Sequence, residues 1–381
     1  MRGQYWSVRT SLAIAGIMVL ALIVGARSGT AVRAASDTSR PRPASTQFCV
    51  STGAYCFDFE TVDATGTGHC NAVTGINDAE QIVGAYYICA STGSHGNPIY
   101  HSFAAAPSPT PTGYSSPAPY PSFLPESDGS ANTFLEGLAT GHSGPTFTNV
   151  YMVGYSYAPM GCTTWCGVQN ANGSTKQWTT IADPSAGSCG VTEVMAVNDS
   201  RMGVGYYLKP TSAGCVQQAF EYYPATVGSS ITYVDIDPTV NPGEPSIATG
   251  ISPLGAVVGV SIGTGGSTSG WLYTDRKYYS IQGPTTATSI SPEGVNLSYG
   301  VAGYYVNSSG KNGFLMLNGK GHGNNNFLTV NYLNDTVIRS INTHWYVSGW
   351  ANGNGGTAHG FVGECLNCGV NNTSAPEFSQ R

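Results

Sequence analysis

Short apolar runs recur along the chain, and each surrounds a glycine with aromatic or β-branched neighbours. Runs of this length and composition are typical of partly buried strands. Successive glycines are separated by 44 to 70 residues, a spacing typical of repeat architectures. The six repeat glycines are Gly84, Gly154, Gly205, Gly259, Gly303 and Gly349.

A second strand precedes each glycine run. In four copies a polar residue ends a short apolar stretch seven residues before the glycine, and this constant offset predicts a hairpin, because turn length sets strand register. We place the fifth copy at Ser291, twelve residues before its glycine, and a degenerate second copy near Leu138; insertions at turns explain both. The four regular polar residues are Asn77, Asn198, Ser252 and Asn342.

Two further strands complete each repeat. A third strand places an aromatic residue 11 to 19 residues after each glycine, and a fourth strand carries an aromatic residue and usually an aliphatic one three positions later. Six such units between residues 49 and 369 average about 54 residues each, close to the length of propeller blades. The sequence therefore predicts an all-β protein, a six-bladed β-propeller of four-stranded antiparallel blades.

The repeated glycine suggests a shared packing requirement. A glycine inside a strand weakens it unless another group must approach the backbone closely. We expect the bulky rings of a neighbouring unit to be that group.

The two ends of the chain differ from the repeats. Arg2 and Arg9 precede a run of 16 uncharged residues that small residues follow, which predicts a secretory signal, with an uncleaved anchor as the alternative. We therefore expect a protein that is secreted or held at the extracellular surface, with no membrane insertion after removal of the signal. The expected organisation is a signal peptide (1–34), a flexible linker (35–48), a propeller (49–369) with a Pro-rich surface insertion (104–122), and a disordered polar tail (370–381).

All ten cysteines follow the signal, and an even number in an exported chain predicts disulfides. Two pairs flank predicted hairpins, which bring their ends together, and a third pair is local. The expected bonds are Cys70–Cys89, Cys189–Cys215 and Cys162–Cys166. The remaining cysteines lie near the two chain ends, which a closed propeller brings into one sheet or adjacent blades, so we expect at least one bond between the ends. They are Cys49, Cys56, Cys365 and Cys368, the last two also having the spacing of a zinc or redox pair.

Several short segments of the repeat resemble those of a known family. They are Gly75-Ile76-Asn77-Asp78, Ile82-Val83-Gly84-Ala85-Tyr86, His101-Ser102-Phe103 and, in the last copy, His359-Gly360-Phe361. The chain is similar over roughly residues 57 to 363 to the bacterial extracellular repeat family named after a His-Ala-Phe (HAF) triplet, although no copy spells that triplet. The resemblance implies an exported, propeller-like protein without an established activity, and it supplies no catalytic residue.

The balance of charged residues limits the classes of partner that the protein is expected to bind. The chain has 15 basic and 21 acidic residues, a net charge of −6. Without the four arginines of the signal, 11 basic residues face 21 acidic ones, giving −10. An acidic surface repels phosphate backbones and anionic membranes, so we expect no nucleic acid as a partner.

Recurring polar and aromatic residues are candidates for ligand contact. Three aspartates follow the fourth strand, and we expect them to form turns, as we do for Asn77 and Asn198; the alternative is that the aspartates ring a channel mouth that binds calcium. Tyrosine pairs are expected mainly to pack as strand-favouring residues; the alternative is that one ring of each pair lies between blades and the other is accessible to a sugar or a protein. The candidates are Asp63, Asp183, Asp237, Tyr87, Tyr207 and Tyr305. His101 and His359 are expected to hydrogen bond to backbone between strands rather than to act as ligands or bases.

No familiar catalytic motif is present, and only 8 basic residues lie between residues 49 and 369 to shift carboxylate pKa values. We therefore expect no catalytic residue and no cofactor, calcium excepted. The favoured function is non-enzymatic binding of an extracellular protein or polysaccharide; the alternatives are a carbohydrate-active enzyme (glycosidase or lyase) and a structural envelope or matrix component. A buried carboxylate pair in the channel would favour the enzyme. The carboxylates that could still form one are Glu193, Glu221, Glu244 and Glu293.

Overall fold

The computed structural model contains six antiparallel sheets arranged as the blades of a six-bladed β-propeller. It describes residues 46–50, 55–63, 69–88, 101–107, 118–119, 133–140, 147, 150–157, 162–170, 178–225, 230–238, 243–320, 327–353 and 357–368. The expected signal peptide, the expected tail, and most of the linker and of the Pro-rich insertion lie outside these residues. Within them, no helix has the length and apolar character needed to cross a membrane.

The strands follow one another as simple meanders. In chain order they are β1 (Thr46–Val50), β2 (Tyr55–Val62), β3 (His69–Ile76), β4 (Ile82–Ile88), β5 (His101–Ala105), β6 (Ala118–Pro119), β7 (Thr133–Thr140), β8 (Val150–Tyr157), β9 (Trp165–Asn170), β10 (Trp178–Ile181), β11 (Thr192–Val197), β12 (Gly203–Thr211), β13 (Gly214–Tyr223), β14 (Thr232–Asp235), β15 (Ser246–Ile251), β16 (Val257–Ile262), β17 (Thr268–Thr274), β18 (Lys277–Ile281), β19 (Ser289–Val295), β20 (Val301–Asn307), β21 (Gly310–Met316), β22 (Phe327–Val330), β23 (Asn334–Ile341), β24 (Tyr346–Asn352) and β25 (Ala358–Cys365). Blades 1 to 5 are β3–β6, β7–β10, β11–β14, β15–β18 and β19–β22, and blade 6 is β23, β24, β25 and β2, with β1 on its outer edge. Two short 3₁₀ helices span Pro184–Cys189 and Thr264–Gly266.

The first strand of every blade is the innermost one, and these six strands line a central channel. Each carries a β-bulge at the same place, where its register with the second strand shifts by one residue. A bulge leaves one residue unpaired and re-aims its side chain. The six bulge residues, all of which line the channel, are Thr74, Glu136, Met195, Thr249, Glu293 and Arg339.

The bulge explains the repeat glycines. Each glycine pairs with the residue just before the bulge, so all six occupy equivalent positions. A methyl group at any of them would lie 1.8 to 2.2 Å from a carbonyl oxygen of the inner strand. The ring contacts come from the same blade, as with Phe103 at Gly84 and Trp271 at Gly259. The expectation that rings of a neighbouring unit occupy this space is therefore wrong, and the carbonyl of the blade's own inner strand is the constraint common to all six.

Asparagines cap the inner hairpins. The Asn77 side-chain oxygen accepts hydrogen bonds from the backbone N–H groups of Ala79 and Gln81, and Asn198 and Asn342 do the same in their turns. This is the turn chemistry expected at Asn77 and Asn198. In blade 5 the cap is Asn296, seven residues before the repeat glycine, and not Ser291. The fifth copy therefore has no insertion.

The ring closes through hydrogen bonds between strands. β2, near the start of the described chain, pairs with β25, near its end, and the backbone N–H of Leu366 donates to the carbonyl of Cys56. The disulfides here are local, Cys49–Cys56 and Cys365–Cys368, so the expected bond between the chain ends is wrong. Cys49 lies directly opposite Cys56 across the β1–β2 hairpin, which favours the local pairing.

The other described disulfides match the expected pairs. Cys189 is bonded to Cys215, and Cys162 to Cys166. Cys70 also takes part in a disulfide, whereas Cys89 lies outside the described residues. In the part of the chain that the structure describes, no cysteine is free. Disulfides are typical of chains that fold in an oxidising compartment.

Loop length predicts which disulfide contributes more stability. The Cys189–Cys215 bond spans 26 residues and the Cys365–Cys368 bond spans 3. Because a longer closed loop removes more entropy from the unfolded chain, we expect the double serine variant of the first to lose about 3 kcal/mol and that of the second about 2 kcal/mol. Urea denaturation of both variants would test the order. An equal or larger loss at Cys365–Cys368 would contradict it.

Candidate functional site in the central channel

One arginine joins three blades across the channel. Arg339, the bulge residue of blade 6, places Nη1 2.7 Å from Glu293 Oε2 in blade 5 and Nη2 2.8 Å from Glu136 Oε2 in blade 2. The two carboxylate side chains are only 4% and 8% exposed. Buried carboxylates are costly unless they are paired and hydrogen bonded, so this single guanidinium makes the cluster possible.

The charged groups in this cluster shift one another's pKa values. Burial alone would lower the pKa of Arg339, but Glu293 and Glu136 outweigh it and raise that pKa, so Arg339 stays a cation. Burial raises the pKa of Glu293, while Arg339 and the Ser291 hydroxyl oppose the shift. Ser291 Oγ donates to Glu293 Oε1 at 2.6 Å, so these two side chains share one side of β19. A third carboxyl group, that of Glu193, is close enough to Glu136 for their charges to interact.

Glu193 is a partly buried acid that titrates near neutrality. It is two residues before the bulge of β11, directly across from Tyr206 on β12. Burial raises the pKa of Glu193 to about 7; the charge of Glu136 adds to the rise, and a hydrogen bond with the Tyr206 hydroxyl opposes it. Carboxyl groups of this kind exchange protons readily at neutral pH. The pKa of Tyr206 is raised by burial and by Glu193, so its hydroxyl stays a neutral donor.

Four aromatic side chains of the second strands lie near these charged groups. The residue directly after the repeat glycine is aromatic in four of six copies, and all four side chains are partly exposed; they are Tyr155, Tyr206, Tyr304 and Trp350. The charges of Glu136 and Glu193 contribute, after burial, to the raised pKa of Tyr155, which places these groups near one another. On the other side, the Lys311 ammonium lies 5.5 Å from the Tyr304 ring centre and 5.1 Å from that of Trp350. We call these four aromatic residues and Glu193 the rim.

The tyrosine candidates from the sequence lie on the face of their strands opposite to the rim residues. Tyr207 and Tyr305 are buried, at 0% and 5% exposed. The Tyr207 hydroxyl donates to Asp235, and that of Tyr305 shares a hydrogen bond with Thr329. Neighbouring rings do alternate between buried and accessible faces, but the accessible ones are Tyr206 and Tyr304. Tyr87 lies in β4, and its side chain is outside the described residues.

The three candidate aspartates do not ring the channel. Asp63, Asp183 and Asp237 follow the outer strands β2, β10 and β14, away from the inner strands, so the alternative of a calcium-binding ring is wrong. Asp183 caps a 3₁₀ helix by accepting from the Ser185 N–H, and Asp63 Oδ2 lies 2.9 Å from His359 Nδ1. Among the residues described, no group of three or more His, Cys, Asp or Glu side chains could hold a metal ion.

His101 stacks on Tyr86, with ring centres 5.2 Å apart.

Of the four glutamates that the sequence left open, Glu293 lines the channel and Glu193 stands at its rim, whereas Glu221 lies on the third strand of blade 3 and Glu244 precedes β15. Sequence reasoning did not select Glu136 or Arg339. The signal that marks Glu136, Glu293 and Arg339 is their shared place three residues before the hairpin cap position.

Comparisons with known proteins give no family. No protein-family model matches the chain, and no curated protein matches it. Among solved structures it is similar to a gluconolactonase from Xanthomonas campestris, with a TM-score of 0.43 and 10% identity over 85% of this chain and 99% of that one. It is also similar to a Hadza microbial sialidase, with a TM-score of 0.47 and 9% identity over 79% of this chain and 66% of that one. Similarities of this size carry no conclusion about activity or substrate.

Proposed function

We propose that this protein is an exported binding propeller that holds a neutral polysaccharide or oligosaccharide at the rim of its channel. The observation that carries the proposal is the rim itself, where four partly exposed aromatic rings surround carboxyl and hydroxyl groups. Sugars present apolar C–H faces that stack on aromatic rings and hydroxyl groups that need hydrogen-bond partners. The disulfides support export, because they persist in oxidising compartments.

The charge of the channel favours a neutral ligand. The Arg339 guanidinium is already paired with Glu136 and Glu293, and Glu193 is a third carboxyl group near Glu136. An anionic sugar would be repelled by these three carboxyl groups, and the Lys311 ammonium beside Tyr304 and Trp350 would offset one of the three charges. A protein ligand has less support, because the large exposed apolar side chains among the described residues are scattered over five blades. They are Phe48, Tyr157, Tyr223, Val234, Leu254, Leu297, Leu333 and Leu366.

The rim rings predict the effect of their removal. Trp350→Ala and Tyr155→Ala are each expected to weaken glycan binding about tenfold, because each loses one stacking surface. A glycan array would select the ligand, and calorimetry would measure its affinity. Tyr223→Ala is the matched control, since Tyr223 is 37% exposed on β13. Rim variants that bind as tightly as the control would overturn the proposed site.

A further inference from the structure

Glu136 of blade 2 and Glu193 of blade 3 are close enough for their charges to interact. Blades 2 and 3 pack tightly here, because a methyl group on Gly137 would lie 2.9 Å from Ala196 Cα and 3.1 Å from the Met195 carbonyl oxygen. Glu136 therefore lies beside Met195, and Glu193 is two residues earlier on that strand. Two residues along a strand span about 7 Å. Side chains that start this far apart can place their carboxyl groups within the roughly 5 to 10 Å that glycosidases use.

The two carboxyl groups have different surroundings. Glu136 is ion-paired with the Arg339 guanidinium, which lies 2.8 Å from its Oε2. Glu193 faces the Tyr206 hydroxyl, Tyr155 and the charge of Glu136, and has no cation among the causes of its raised pKa. Two carboxyl groups with such different neighbours can divide the roles of acid and base. Glu193 is then the proton donor and Glu136 the acceptor.

We propose that a glycan bound at the rim is hydrolysed there by Glu193 and Glu136, an inference that rests on the proposed function. The Glu193 carboxyl gives its proton to the glycosidic oxygen as the bond from that oxygen to the anomeric carbon breaks, and both electrons of the bond leave with the oxygen. Water attacks the anomeric carbon and gives a proton to the Glu136 carboxylate. Proton exchange with solvent then restores both groups. Arg339 is a positioning residue, since it holds Glu136 in place.

The experiment follows binding and bond cleavage separately on the full chain. Xylan, mannan, β-glucan and starch serve as neutral probes, with glycan binding measured by affinity electrophoresis and cleavage by release of reducing ends. Glu193→Gln and Glu136→Gln are each expected to lower the cleavage rate at least about 100-fold, because each removes one proton-transfer group. Binding by both variants should persist, because glutamine keeps the length and a hydrogen-bonding oxygen of glutamate. Persistent binding also shows that the variants fold. Glu221→Gln, on the third strand of blade 3, is the control expected to cleave like the wild type.

The pH profile separates catalysis from a structural role. The wild-type rate should fall as the pH rises through about 7, because Glu193 loses the proton that it donates. Tyr206→Phe removes the hydrogen bond that holds the pKa of Glu193 down, so the falling limb should move to higher pH.

Binding without cleavage would overturn the hydrolytic site and leave the proposed function standing. No binding to any probe would overturn both, and cleavage unchanged in Glu193→Gln would overturn the assignment of the acid.

Discussion

Replacement of Arg339 by methionine is expected to lower the free energy of unfolding by about 3 to 5 kcal/mol. The substitution leaves two carboxylates, Glu136 and Glu293, in the channel without the guanidinium that bridges them. Removing one partner of a buried ion pair costs more than the pair contributes, because the remaining charge stays buried and uncompensated. Here one substitution leaves two buried charges without their cation, one in blade 2 and one in blade 5.

The loss should depend on pH. Burial already raises the pKa of Glu293 in the folded state, and removal of Arg339 removes the strongest influence that opposes this rise. A carboxyl whose folded pKa lies above its unfolded pKa favours folding below the unfolded value, and this contribution is lost as pH rises through the folded pKa. The Arg339→Met variant should therefore be closer to wild type at pH 5 than at pH 8. Urea denaturation at both values measures the difference.

An exposed ion pair supplies the control. Lys209 lies 3.4 Å from Asp235, and both side chains are more than 40% exposed. Lys209→Met should cost less than about 1 kcal/mol at either pH. Adding Glu136→Gln and Glu293→Gln to the Arg339→Met variant should restore part of the stability at pH 8, because no charge is then stranded. A loss at Arg339 no larger than at Lys209 would show that the cluster does not stabilise the ring.

The architecture could be predicted because its constraints repeat. Six inner strands bulge at one place, and each bulge requires a glycine opposite it, so the glycine spacing reports the blade count. The misplaced fifth copy has a physical cause. Pro292 normally argues against the interior of a strand, yet here it pairs with Gly303 just before the bulge, where the ladder is disrupted. The strand continues beyond it to Val295, so the true cap, Asn296, keeps the regular offset.

The channel cluster could not be predicted in the same way, because its residues do not repeat. The same bulge position holds Thr, Glu, Met, Thr, Glu and Arg around the ring, and the chemistry depends on which blades face one another. The scarcity of basic residues argued against a site with shifted pKa values. One arginine nevertheless bridges two carboxylates, and burial is the main cause of the raised pKa of Glu193. The HAF resemblance stays a prediction.

Gly205→Ala is expected to destabilise the propeller by at least about 4 kcal/mol, or to prevent folding. The added methyl group would lie 1.9 Å from the Glu193 carbonyl oxygen and 3.0 Å from Val194 Cα. Both atoms belong to the backbone of β11, so no side-chain rotation can relieve the overlap, and the bulge that directs Met195 into the channel would have to shift.

The matched control for this substitution is Gly263→Ala, because Gly263 has an extended backbone with φ −78° and its added methyl would meet only the Ser267 hydroxyl oxygen, at 3.3 Å, and atoms farther away. That variant should stay within about 1 kcal/mol of wild type. Thermal and urea denaturation of the two variants side by side separate a general cost of losing glycine from the cost of the carbonyl contact. Similar stabilities for both variants would mean that the inner strand can shift at the bulge to make room for the methyl group. The close approach of the inner-strand carbonyl would then not explain the repeat glycines.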